Sequence, residues 1–474
     1  MRAMDKSIEE KISNFRRITT ENNVYHPFLS FNQDTSMAAP EDIRKKWEIF
    51  LRRNRSKYVS LYINIPYCRN NKCNYCMYNS KILHDPWELD CYVNYLKSSM
   101  EFYDPVFQGY EFANMHIGGG TPTLLDNTQL ATLFDLLAQR YSFRDNAMRT
   151  FEISPSSVTH EQLDLARQFG INRISIGVQS FNRAALELAR RNYVPFEEIE
   201  ALVNSINSLG FEALNIDLIG GLPGDTPDEF RNSFIKTASL GPTSITTYFF
   251  RFENSRYDQT MKYSSGFGWG AGSIKAFMEN IYETALEYQY TIDNFSTQSL
   301  NNVFMRADYE NRMSGYPTKW EPTLQNSCLG LGVGARSSIL DVADIYDMGC
   351  AGLARYNINR ALDAESLAIA NTRYLLCFFD NRTRLTSHFL RQLYTNREIS
   401  ISSVQSIYKV DLREYFREEF ALLVSLGKLS VEGDTVCLVV EDEIEWGVYS
   451  KFFYDERTIE EMAKPRPGCR YSSA

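Results

Sequence analysis

Residues Tyr62 to Tyr78 read YINIPYCRNNKCNYCMY and place Cys68, Cys73 and Cys76 within nine positions, directly after a β-type run. Thiolates are soft ligands that suit iron–sulfur clusters or zinc. Structural zinc sites and most clusters use four protein ligands. Three cysteines with no fourth nearby point to a 4Fe–4S cluster with one iron left open for another molecule. The competing reading is a zinc site completed by a distant residue. Tyr75, between the last two cysteines, fits an aromatic shield over a cluster edge, where burial and hydrogen bonding tune the potential. The chain must therefore present this loop at the end of an element, beside a site for the second molecule.

The 474 residues leave room for a large core, and length alone suggests roughly two to four domains. The start, MRAMDKSIEEKISNFRR, is too charged for a signal peptide. No run reaches the roughly 18 apolar residues of a membrane span. A net charge of −9 argues against a general nucleic-acid binder. Outside the triad, cysteines stand singly at Cys91, Cys328, Cys350, Cys377, Cys437 and Cys469. Without a secretion signal they do not read as a disulfide framework. A cytoplasmic, reducing setting, a monomer, and no membrane or nucleic-acid partner are expected.

From residue 58 onward, β-branched or aromatic runs alternate with helical patterns. The runs are 59–65, 113–117, 149–154, 172–178, 212–219 and 243–250, with helices near 86–102, 126–140, 159–169, 182–191, 195–209 and 226–239. Asp126 can cap the second of these helices, and Thr226-Pro227 opens the last in a similar way. Such alternation predicts an α/β fold with a parallel sheet. Six units suggest a partial (β/α)6 TIM-type barrel, whose chemistry collects at the carboxyl ends of the strands. The domain reading is an N-terminal arm at 1–55, anchored by Trp47, Phe50 and Leu51; the barrel core at 56–255; a core extension and substrate cover at 256–365, with one helix near 272–288; and a C-terminal winged-helix-like α+β domain at 366–474. A hairpin signal at Gly433-Asp434 supports the last of these. Its arginines, such as Arg382, Arg384, Arg391 and Arg397, are mixed with acids and read as a solvated face.

The strand ends carry the unusual residues. Gly118-Gly119-Gly120-Thr121-Pro122 follows the second strand, either as a tight turn or to let backbone approach a ligand. Glu152 ends the third strand, Gln179 and Ser180 follow the fourth, and Asp217 closes the fifth. The sixth runs into Tyr248 and Arg251. Glu152 and Asp217 can accept ribose hydroxyls or an ammonium. Arg191 can grip a carboxylate with a bidentate fork, although its neighbour Arg190 is an equal candidate on sequence alone. Gly330 to Ala335 (GLGVGA) needs close backbone approach to something. His116 reads as a satisfied rim histidine.

The stretches YINIPYC, HIGGGTPT, FEISP, NRISIGVQSFN, NIDLIGGLPGDTPDEF and GLGVGA, in this order over residues 58–340, resemble the radical S-adenosylmethionine enzymes, in the branch of oxygen-independent coproporphyrinogen III oxidase. The small C-terminal domain is similar to that branch too. The resemblance implies that the open iron chelates the amino and carboxylate groups of S-adenosylmethionine, and that one electron cleaves its C5′–S bond to a 5′-deoxyadenosyl radical. It implies that Cys68, Cys73 and Cys76 ligate the cluster. Tyr62, Gly119, Gly120, Thr121, Glu152 and Arg191 would contact the first S-adenosylmethionine. Gln179, Asp217 and the region of Ala335 would contact a second, with Tyr62, Gln179 and Asp217 nearest the chemistry. A flavodoxin- or ferredoxin-type donor would supply the electron.

The chain also departs from the branch. Four residues, Arg69 to Lys72, separate the first two cysteines instead of three; Asn64 replaces a histidine; and Met77 and Tyr78 stand where a further cysteine is usual. These departures fit diverged members that methylate or cyclopropanate carbon in natural-product pathways. The expectation is therefore transfer or insertion of a one-carbon unit on a small organic substrate. The alternatives are coproporphyrinogen III dehydrogenase or another tetrapyrrole enzyme, such as an anaerobic haem-opening one, and, outside enzymes, a haem-binding chaperone.

Overall fold

The structure is a computed structural model that describes residues 6–21, 33–53, 58–76, 78, 80–250, 280–296, 301–308, 326–339, 343–349, 358–365, 367–379, 381–440 and 443–463. Arg251, Met77, Cys350, Cys469, the start of the helix expected near 272 and most of the expected cover lie outside these residues.

The chain opens with α1 (Lys6–Glu21), β1 (Gln33–Ala38) and α2 (Pro40–Arg53). The alternating units follow as β2 (Tyr58–Ile65), α3 (Trp87–Phe107), β3 (Glu111–Gly119), α4 (Asn127–Arg140), β4 (Ser142–Ile153) and α5 (His160–Phe169). Next come β5 (Arg173–Gln179), α6 (Arg183–Leu188), α7 (Phe196–Ser208), β6 (Ala213–Gly220), α8 (Pro227–Ser239) and β7 (Ser244–Phe249). The sheet is completed by β8 (Tyr290–Ser296), β9 (Asn301–Arg306), β10 (Asn326–Leu331), β11 (Arg336–Ile339), β12 (Ala343–Asp347) and β13 (Tyr374–Phe379).

Helix boundaries follow local chemistry. Asp126 and Gln129 form a capping box at α4, and Thr159 and Gln162 do the same at α5. Each box satisfies two amides that the first turn leaves without partners. Thr226 caps α8, with Pro227 in the first turn.

The described residues form a 13-stranded sheet in the order β1-β13-β12-β11-β10-β2-β3-β4-β5-β6-β7-β9-β8. Its two ends do not pair, so this is an open, partial barrel. Strands β2 to β7 run parallel to one another, and β7 pairs antiparallel with β9 on its other side. One element departs from the sequence expectation: β10, placed there in the cover, runs parallel to β2 and pairs Gly330 with Tyr62. The core thus gains another parallel strand. Its sequence, NSCLGL, is short and polar at one end, and no helical pattern leads into it. The N-terminal arm likewise contributes β1, an edge strand that pairs antiparallel with β13.

Side chains alternate across a strand, so register decides what shares a face. Tyr62 lies opposite His116 and His116 opposite Thr150. Glu152 lies opposite Ser175, Ser175 opposite Asn215, and Asp217 opposite Thr246. This polar set shares one face. The alternate residues Ile63, Ile117, Phe151, Ile174, Ile216 and Ile245 are fully buried in the main apolar core with Trp47, Phe50 and Leu51 of α2. Burying each such side chain contributes roughly 1.5–3 kcal/mol. Asp217 does not close its strand as expected, since β6 continues to Gly220.

A second apolar core gathers Leu385, Phe389, Val404, Leu423, Val436 and Phe453. It lies under a three-stranded sheet in which 429–432 and 435–438 form the expected hairpin. Helix α1 packs Phe15 and Ile18 against Val448 and Met462 of this region. Among the described residues no helix is long and apolar enough to cross a membrane.

Candidate active site

The cysteine loop leaves β2 at Pro66 and closes on itself. Tyr67–Cys68 forms a short parallel ladder with Lys81–Ile82. The Lys81 amide donates to Pro66 O at 2.8 Å, and the Leu83 amide to Cys68 O at 2.9 Å. Lys81 also pairs with the buried carboxylate of Glu88 at the start of α3. The far side of the loop rests on the end of α6. There the Asn74 amide donates to Ala189 O at 2.8 Å, Asn74 Nδ2 to Leu188 O at 2.9 Å and Asn71 Nδ2 to Arg190 O at 2.6 Å. Asn71 sits in the four-residue gap, so that stretch is tied to the residues just after α6.

Cys68, Cys73 and Cys76 are half-buried free thiols. Among the described residues no trio of His, Cys, Asp or Glu converges on one ion position. A cluster asks for something different, because each thiolate takes its own iron. Tyr75 packs on a small apolar cluster that includes Ala185, Leu186 and Ala189, with its hydroxyl beside Cys73 and Cys76.

The rim beside the loop is built from β2 to β4. Tyr62 is buried; its hydroxyl donates to Asn64 Oδ1 at 3.0 Å and its ring lies 5.8 Å from that of His116. Burial, and then the Glu152 carboxylate, push this hydroxyl well above the usual tyrosine range. His116 Nε2 meets Glu152 Oε1 at 2.7 Å, and the Gly119 amide donates to Glu152 Oε2 at 3.3 Å. Glu152 is therefore held by two groups before any ligand arrives.

The glycine run has a packing reason of its own. Gly119 sits at φ 118°, and a Cβ there would strike the Asn64 side chain. A Cβ on Gly120 would strike the Tyr67 carbonyl. Both residues bring β3 against the root of the cysteine loop. Thr121 follows, half-buried, at the start of a single turn over Pro122–Leu124.

Asp217 and Gln179 stand on the next strands. Asn215 Nδ2 donates to Asp217 Oδ1 at 2.8 Å and Ser175 Oγ to Asp217 Oδ2 at 3.2 Å. Asn215 is itself buried, and its carbonyl accepts from Ser244 and Thr246 at 2.8 Å each. Burial, and then Glu152, raise the Asp217 carboxyl to about 6. Gln179 adopts φ 75° at a bulge where the β5–β6 register shifts. Such bulges re-aim side chains next to active sites.

The structure chooses between the adjacent arginines. Arg190 is exposed, whereas Arg191 turns inward, donates to Gly177 O and bonds with Cys73 beside Tyr75. Burial opposes its charge, but Tyr75 and Cys73 outweigh that and hold the guanidinium protonated.

Ala335 is fully buried beside Tyr62 and Cys328. The turn before it is what the glycines of GLGVGA permit: a Cβ on Gly332, at φ 105°, would meet the Tyr92 hydroxyl. Asn64 Nδ2 donates to Val333 O in this turn at 2.7 Å, and Tyr92 OH donates to Asn64 O at 2.7 Å. The asparagine that replaces the branch's histidine thus ties β2 to the turn after β10. Sequence reasoning also missed Asn215 and Ser175, which fix Asp217. The alternation N-I-D in β6 was the available signal, because it puts both polar groups on one face.

This arrangement, a three-cysteine loop at the carboxyl rim of an open parallel barrel, defines a class. Residues 62–234 match the model of the Radical SAM superfamily. Oxygen-independent coproporphyrinogen III oxidase of Escherichia coli strain K12 is 28% identical over 377 residues, covering 78% of this chain and 79% of that protein. The heme chaperone HemW of the same strain is 34% identical over 190 residues, covering 40% of this chain and 50% of that one. The solved coproporphyrinogen III oxidase (HemN) of Escherichia coli shares the fold, with a TM-score of 0.68 at 23% identity over 86% of this chain and 93% of that one. Residues 62–234 are a radical SAM domain, and along most of its length the chain is similar to the branch that holds oxygen-independent coproporphyrinogen III oxidase. Members of this superfamily bind a 4Fe–4S cluster and S-adenosylmethionine.

Proposed function

We propose that this enzyme acts on a tetrapyrrole-class substrate in the manner of coproporphyrinogen III oxidase, by taking hydrogen from a propionate side chain that then loses carbon dioxide. The observation that carries this reading is likeness along nearly four-fifths of both chains, 78% and 79%. It extends past the barrel and outweighs the three local departures that suggested one-carbon transfer.

When bound, the reduced cluster supplies the electron that splits S-adenosylmethionine into methionine and a 5′-deoxyadenosyl radical. The chain's own residues do the holding. Cys68, Cys73 and Cys76 anchor the cluster, with Tyr75 covering its edge. Glu152 receives the ammonium of the first S-adenosylmethionine, and Arg191 forks to its carboxylate. Tyr62, Gly119, Gly120 and Thr121 line its other side. Gln179, Asp217 and Ala335 border a second molecule, with Asp217 accepting hydroxyl protons. On the substrate, one hydrogen atom passes from the propionate to the 5′-deoxyadenosyl radical, giving 5′-deoxyadenosine; the carboxylate then departs as carbon dioxide and a vinyl group forms. The one electron left over passes to an acceptor. A flavodoxin- or ferredoxin-type donor, a cytoplasmic setting and a monomeric state complete the reading.

A second reading, transfer of a one-carbon unit, keeps its footing in Asn64, the longer cysteine gap and Tyr78. Anaerobic assay with coproporphyrinogen III, dithionite and deuterated-methyl S-adenosylmethionine separates the two. Carbon dioxide with 5′-deoxyadenosine supports decarboxylation. S-adenosylhomocysteine formed with the small organic substrate of a neighbouring gene product, and no carbon dioxide from coproporphyrinogen, supports one-carbon transfer. Haem binding without any 5′-deoxyadenosine would mark a chaperone.

A further inference from the structure

Ser80 lies at the closing end of the cysteine loop and belongs to none of the motifs that mark the family. It is 1% exposed. Its hydroxyl oxygen lies 3.3 Å from Cys68 Sγ. This approach is built rather than incidental. The ladder between Tyr67–Cys68 and Lys81–Ile82 fixes the backbone on both sides of the pair. The Lys81 amide bond to Pro66 O, at 2.8 Å, adjoins Ser80 directly, and Lys81 is pinned further by Glu88.

We propose that Ser80 tunes the cluster, its hydroxyl donating a hydrogen bond to Cys68 Sγ. In the free thiol, Cys68 donates to Ser80 Oγ. Once Cys68 is a thiolate on iron it has no proton to give, and the serine hydroxyl becomes the donor. A hydrogen bond to a ligating sulfur stabilises the extra negative charge of the reduced cluster and so raises its potential. Ser80 is buried and Cys68 half-buried, so the bond is partly shielded from water, and a shielded dipole acts on a charge more strongly than one in water. Ser80 is a positioning and tuning residue. It does not touch substrate or the reacting atoms. It makes the cluster easier to reduce, which is the step that gates radical formation. The inference rests on the reading of Cys68 as a cluster ligand.

The test is a redox titration of the reconstituted full chain, followed by electron paramagnetic resonance, with iron counted first. The wild-type chain should hold about four irons, the content of such a cluster. Zinc in their place overturns both the cluster reading and this inference. With iron bound, Ser80→Ala should load equally and show a midpoint potential displaced to more negative values. Ser80→Thr should return most of the displacement, whereas Ser80→Val, nearly the same shape without a hydroxyl, should not. In deuterium oxide, the reduced wild-type cluster should show an exchangeable deuteron coupling that Ser80→Ala and Ser80→Val lack. Equal potentials in wild type, Ser80→Ala and Ser80→Val overturn the proposal. Should the variants fail to load, absence of the deuteron coupling in the wild-type chain overturns it just as well.

Discussion

Two regions border the site and are held in different ways. The rim of β2 to β6 is a partly buried frame in which side chains bond to one another. His116 and the Gly119 amide hold Glu152, and Asn215 and Ser175 hold Asp217. The cysteine loop is half-buried and rests on neighbours mainly through backbone carbonyls at Leu188, Ala189 and Arg190. The rim is pre-organised without a ligand, which lowers the ordering cost of binding. The loop gains its final order from what its thiolates hold. Loss of the cluster should therefore disable the enzyme without unfolding it, while damage to the rim should weaken binding with the cluster in place.

The largest break in this comparison is Cys76→Ser. Iron loading should fall to background and 5′-deoxyadenosine should disappear, as seen by iron assay and chromatography of the reaction. The thermal unfolding midpoint of the iron-free chain should stay close to that of iron-free wild type, because none of the three cysteines belongs to the main apolar core. A large drop in that midpoint would mean that the thiols hold the fold together and that the loop is not separable from the barrel.

Next is Glu152→Gln. It removes the charge that the rim frames, while its amide can still bond to His116 or the Gly119 amide. A hydrogen bond to a charged group contributes roughly 1.5–3 kcal/mol. S-adenosylmethionine should bind about 10- to 100-fold more weakly by equilibrium dialysis, with iron content unchanged. Unchanged affinity would detach Glu152 from the ligand and leave it a brace for His116.

Much of this contrast is legible in the sequence. The six strand–helix units, the cysteine triad and the rim positions all follow from periodicity and strand ends, because a buried parallel strand is set by its own residues and their alternation. What escapes is what depends on partners far away in the chain. Strand β10 lies beside β2 although their paired residues Gly330 and Tyr62 are far apart in sequence, and β1 is too polar to read as a strand until β13 is beside it. Ser80 looks like loop punctuation until the ladder sets it against Cys68. The choice of Arg191 over Arg190 needs the backbone, since Arg190 takes φ 52° and turns the chain between them.

A smaller effect separates the two halves of the rim. The Asp217 carboxyl is raised from 3.8 to about 6. Between those values the folded chain keeps a proton that the unfolded chain has released, so this residue's contribution to stability falls as pH rises through that window. Binding runs the other way, because only the carboxylate accepts two hydroxyls. From pH 7.5 to 5.5 the charged fraction should drop about fourfold. Binding of a second S-adenosylmethionine, read by calorimetry, should weaken by a similar factor, and Asp217→Asn should be weak and flat across the range. Equal pH dependence in wild type and Asp217→Asn would assign the titration to another group.

The smallest effect tests the loop's own footing. Asn71 stands in the four-residue gap and reaches Arg190 O at 2.6 Å, in an exposed position. An exposed bond of this kind contributes roughly 0.5–1.5 kcal/mol. Asn71→Ala should leave the rim untouched, so affinity for S-adenosylmethionine in the loaded enzyme should match wild type. What should change is retention: iron should leave about 2- to 10-fold faster under a chelator, because the loop opens more often once this tie to the residues after α6 is gone. Asn74 keeps its two bonds to Leu188 and Ala189 in the variant, which is why the loop loosens rather than detaches. If iron loss is no faster but S-adenosylmethionine binds more weakly, the contrast reverses at this point. The longer gap would then be shaping the ligand side of the loop, and its tie to the residues after α6 would be incidental.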